Sequence, residues 1–97
     1  MGMQVWTDGT FKVYRVKRGY VLHNSKLPFE SGHTHLRNPE ICKKIARDVA
    51  KNKIPRVGSI RLLVSAMRVS DNPEYIAEIQ EVIDKKIEKK KLKGVGR

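Results

Sequence analysis

The sequence predicts an α+β fold, an N-terminal three-stranded antiparallel β-meander packed against about three α-helices. Three observations predict it. Two tight-turn signals, Asp8-Gly9 and Arg18-Gly19, divide the first 24 residues into short runs rich in β-branched and aromatic side chains. Two Asn-Pro-Glu triplets, at 38–40 and 72–74, each open a run with helical apolar spacing. The chain has 97 residues, 39% hydrophobic and 32% charged, the size and composition of one globular domain.

The strands come first. Gln4–Thr7, Thr10–Lys17 and Tyr20–Asn24 flank the two turns, and two-residue turns fix the faces through the period of 2. One face gathers Trp6, Phe11, Val13, Tyr20 and Leu22, with Arg15 and Lys17 near one end, and its large aromatics mark it as the core face. The other gathers Val5, Lys12, Tyr14, Val16, Val21 and His23, a mixture suited to a ligand. Residues 24–37 contain Pro28 and Gly32 and lack a helical period, so they read as a loop anchored on the core by Phe29 and Leu36. Within it, Gly32–Leu36 has the makings of a short extra strand.

The helices follow. Asn38 supplies an N-cap, Pro39 the first helical position and Glu40 an acid for the positive end of the dipole. Ile41, Cys42, Ile45, Ala46, Val49 and Ala50 then form a single stripe, opposed by Lys43, Lys44, Arg47, Asp48 and Lys51, until Pro55 ends the run. A second helix, from about Gly58-Ser59 to Val69, is apolar nearly all round; only Arg61, Ser65 and Arg68 make a polar stripe, so it is the expected central helix. The third starts at Asn72-Pro73-Glu74 and runs to about Lys91, with Tyr75, Ile76, Ile79, Val82, Ile83 and Ile87 inward. Its acids precede its lysines, which complements the dipole, and Glu81 with Lys85 is a favourable i,i+4 pair. The expected domain is 1–92, with 93–97 a frayed basic end.

Charge narrows the partner. Net charge is +11, and residues 1–70 hold 14 Lys and Arg against four acids, whereas residues 71–97 hold seven against six. The surplus belongs to the body of the fold and suggests a polyanion, DNA or RNA, since charge is blind to the sugar. No apolar run approaches the roughly 20 residues of a membrane span, and Met1–Trp6 lacks a signal-peptide pattern. The single Cys42 fits a reducing compartment, so the expected location is cytoplasmic. Oligomeric state is open, because the third helix could close the core or dimerise.

Two basic groups are candidates for phosphate contact. Lys12, Arg15, Lys17 and Arg18 are interleaved with Phe11, Tyr14 and Tyr20 on the meander, where cations neutralise phosphates and exposed rings stack on bases. Lys43, Lys44, Arg47 and Lys51 line the first helix, with Arg37, Lys53 and Arg56 beside it. The plainer alternatives are an edge kept from aggregating by Lys and a solvated helix face. The RNA-recognition-motif signature fails after Arg18-Gly19-Tyr20, and a helix-turn-helix is disfavoured by the long 52–58 connection and the apolar second helix.

A three-stranded meander followed by an amphipathic helix is similar in element order, over residues 4–51, to the AP2-type and arm-site integrase DNA-binding domains. The resemblance implies that the sheet reads a major groove while the helix backs it. The 24–37 loop and two further helices depart from that pattern.

Histidines are the only catalytic candidates. An extended His33-Thr34-His35 places two imidazoles on one side, with His23 or Cys42 as a third metal ligand, but zinc wants three or four ligands and no further pair is present. No metal and no cofactor is expected. The same pair could serve metal-free RNA cleavage as general acid and base, with Lys26, Arg37 or Lys43 steadying the phosphorane. Otherwise His33 and His35 simply hydrogen-bond a loop in place. The leading expectation is a non-enzymatic nucleic-acid-binding protein acting through Lys12, Tyr14, Arg15, Lys17, Arg18, Lys43, Lys44, Arg47 and Lys51. A small ribonuclease using His33 and His35, and a module docking on an acidic protein, are the alternatives.

Overall fold

A computed structural model describes residues 2–56 and 59–95. Four strands, β1 (Met3–Thr7), β2 (Phe11–Val16), β3 (Gly19–Asn24) and β4 (His33–Leu36), are followed by α1 (Pro39–Ala50), α2 (Ile60–Val69) and α3 (Pro73–Val95). The strands form one antiparallel sheet in chain order. The fold is α+β as expected, with β4 as a fourth strand at the position of the anticipated short extra one.

Both turns fall one residue away from the expected positions, and in each case the pairing shifts by two. Asp8 stands at the head of the first turn: its Oδ1 accepts from Thr10 N at 3.0 Å and Phe11 N at 2.7 Å. Gly9, not Asp8, takes the positive φ, 103°. Thr7 therefore pairs with Lys12, and Trp6 with Val13. In the second turn Val16 pairs with Gly19, whose φ is 126°. Because an even shift preserves side-chain alternation, the predicted core face survives. Phe11, Val13 and Leu22 are buried, with Trp6 and Tyr20 packed against them. An irregularity between Gln4 and Trp6 bulges Val5 out, so Gln4 pairs with Tyr14 and joins the opposite face.

The helices cover the inner face. Asn38 caps α1 by accepting from Glu40 N at 2.8 Å, and Cys42, Ile45, Ala46 and Val49 enter the core. α2 is central as expected, touching α1, α3, β3 and β4. Ser65 leaves its predicted polar stripe: it is buried and accepts a 2.9 Å hydrogen bond from Thr34 of β4. α3 packs on α2 and not on the sheet, burying Tyr75, Ile79 and Ile83. The 93–97 segment is helical as far as Val95; Gly96 and Arg97 lie outside the described residues. No helix among the described residues is long and apolar enough to cross a membrane.

The 25–32 loop corrects one expectation. Leu36 anchors on the core, but Phe29 does not. Asn24 Nδ2 donates to Val69 O at 2.9 Å and its Oδ1 accepts from Lys26 N at 2.9 Å, while Asn24 N donates to Gly32 O at 3.0 Å. These bonds bend the loop back, and Phe29 lies on the outer face of the sheet against His23 and His33.

Candidate nucleic-acid interface

With the helices on one face, the sheet's other face is organised by register into two transverse rows. Gln4, Tyr14, Val21 and His35 form one row; Thr7, Lys12, His23 and His33 form the next. Val21 is 2% exposed although it is no part of the helix-side core. The Phe29 ring stacks on His33 at 4.2 Å between centroids and 7° between planes, and meets His23 edge-on at 5.3 Å. His35 meets His33 edge-on at 5.2 Å and 78°.

Two of the three histidines are held by main-chain carbonyls. His23 Nε2 donates to Leu27 O at 3.0 Å, and His33 Nδ1 donates to Phe29 O. A carbonyl only accepts, so each bonded nitrogen carries its proton, and the other nitrogen makes no hydrogen bond to a described residue. Holding a loop thus describes His23 and His33, but not His35, whose ring makes no hydrogen bond to a described residue. Cys42 cannot join them as a ligand. It is wholly buried on the opposite side of the sheet, where burial pushes its thiol up to about 11.

The nine residues expected to contact nucleic acid divide into separate groups. Lys12 and Tyr14 are half-buried on the outer face, and Lys17 and Arg18 are exposed in the turn that ends it. Arg15 is exposed too, but alternation places it on the helix side. The α1 group lies across the molecule, since that helix applies its opposite stripe to the inner face. Lys43 pairs with Glu40 at 3.4 Å and Lys44 with Asp48 at 3.2 Å, leaving Arg47 and Lys51 exposed without an acid partner among the described residues.

Other basic positions come together only in three dimensions. Arg61 at the start of α2 and Lys86, Lys89 and Lys90 of α3 line a cavity of about 440 Å³. Lys86 and Lys90 continue the three-four spacing of Ile76, Ile79 and Ile83, a phase signal readable in the sequence. At the edge of β4, His35 shares a smaller cavity of about 160 Å³ with Arg37 and Arg61. Comparison with protein-family models, with curated proteins and with solved structures gives no match to this chain.

Proposed function

We propose that the protein binds single-stranded nucleic acid laid across the outer face of its sheet. One observation carries this reading: the helices take only the inner face, leaving an outer face that carries the rings of Tyr14, His23, Phe29, His33 and His35 around Lys12. Tyr14 and the Phe29–His33 stack offer flat surfaces to bases, while Lys12, Lys17 and Arg18 meet phosphates. Base stacking of this kind contributes about 1–3 kcal/mol per base.

Sheet width favours an unpaired strand. Four strands span three spacings of about 4.8 Å before side chains are added, more than the roughly 12 Å major groove accepts. β4 therefore separates this sheet from the three-stranded ribbon of the groove-reading domains it resembles in element order. The α1 cations lie on the opposite layer and take no part in this mode.

Fluorescence anisotropy with single-stranded RNA, single-stranded DNA and duplex DNA tests the proposal. Single strands should bind more tightly than duplex. Their affinity should fall about 20-fold between about 50 and about 200 mM salt, as three phosphate contacts require. A preference for duplex contradicts the mode. Absence of binding at the lower salt contradicts the function and leaves an acidic protein as the polyanion.

A further inference from the structure

We infer that the β4 edge of this face cleaves RNA by metal-free transesterification, an activity that rests on the proposed single-strand binding. The pair at its centre is asymmetric. His33 is fixed: Nδ1 donates to Phe29 O and the Phe29 ring stacks on it at 4.2 Å, so Nε2, without a hydrogen bond to a described residue, is held in one orientation. His35 is exposed, edge-on to His33 at 5.2 Å, with no protein hydrogen bond among the described residues. Catalysis of this type uses two imidazoles in different roles, one accepting a proton while the other supplies one. The cavity that His35 shares with Arg37 and Arg61 adds a seat for a phosphate, lined by two cations and no acid.

The chemistry closes without a co-reactant. His33 Nε2 takes the proton of the ribose 2′-hydroxyl, whose oxygen attacks the adjacent phosphorus. The P–O5′ bond breaks, and protonated His35 gives its proton to the departing O5′. The products are a 2′,3′-cyclic phosphate and a free 5′-hydroxyl; proton exchange with solvent resets both rings. Arg37 and Arg61 oppose the extra negative charge of the phosphorane, the largest charge change along the path. Phe29 acts as a positioning residue, through His33.

A labelled single-stranded RNA and its 2′-O-methyl analogue, which binds but lacks the nucleophile, separate this activity from binding. Cut RNA ending in 2′,3′-cyclic phosphate, with the analogue bound and intact, is the expected result. His35→Ala should slow cleavage at least 10²-fold, the lower end of what general acid–base catalysis contributes. His33→Ala should do the same; because that ring also holds the 25–32 loop, His35→Ala is the decisive variant. RNA that is bound yet stays intact overturns the activity and leaves the binding. Failure to bind either oligonucleotide overturns both. Cleavage that persists unchanged in both variants belongs to a contaminant and overturns the assignment.

Discussion

Tyr75 combines an apolar ring with a polar end that must be satisfied. It is 2% exposed, and its hydroxyl donates to Lys53 O at 2.7 Å, which ties α3 to the segment after α1. Burial, then the carboxylates of Asp48 and Glu78, push its pKa from 10.0 up to about 12. Cys42, also buried, moves from 9.0 to about 11. Both groups ionise more readily in the unfolded chain, so the stability they contribute is intact below about pH 9 and is lost as pH climbs through 11 and 12. Urea midpoints measured by circular dichroism should hold level to about pH 8 and then decline; a level profile through pH 11 contradicts this. The sequence marked Tyr75 and Cys42 as inward positions by spacing alone. It misplaced Phe29 because an aromatic in a polar loop defaults to the core when its hydrogen bonds are unknown. The bonds of Asn24, His23 and His33 redirect it.

Elements were more legible than their registers. Capping by Asn38 and Asn72, the stripe of α1 and the core face of β2 and β3 follow from residue type and period. The first turn slipped because Asp8 accepts from the turn rather than sitting inside it, and the second because Gly19, at positive φ, already pairs with Val16. β4 was legible only as Gly32–Leu36, since a four-residue strand owes its existence to its partner β3. Gly19 joins these elements: at φ 126° an L side chain is strained, and a Cβ would lie 2.8 Å from Leu36 O at the end of β4. Gly19→Ala should cost about 1–3 kcal/mol in denaturant unfolding and weaken the β3–β4 pairing, visible as faster amide exchange in β4. Unchanged stability contradicts this account of the turn.

At the scale of the molecule, the +11 charge is dispersed over the outer sheet face, the α1 surface and the cleft between α2 and α3. Adjacency along the chain does not bring the meander cations and the α1 cations onto one surface. The packing separates them, since α1 spends its apolar stripe on the inner face and turns its cations the other way. Net charge and surface geometry thus make different demands on binding. Lys12→Glu with Lys17→Glu, and Arg47→Glu with Lys51→Glu, change net charge equally but on opposite sides. Their affinities for one single-stranded RNA, measured at one salt concentration, test the sheet-face reading most directly. The sheet pair should weaken binding by about tenfold or more, and the helix pair by less than about threefold. Equal losses, or a larger loss from the helix pair, would contradict it.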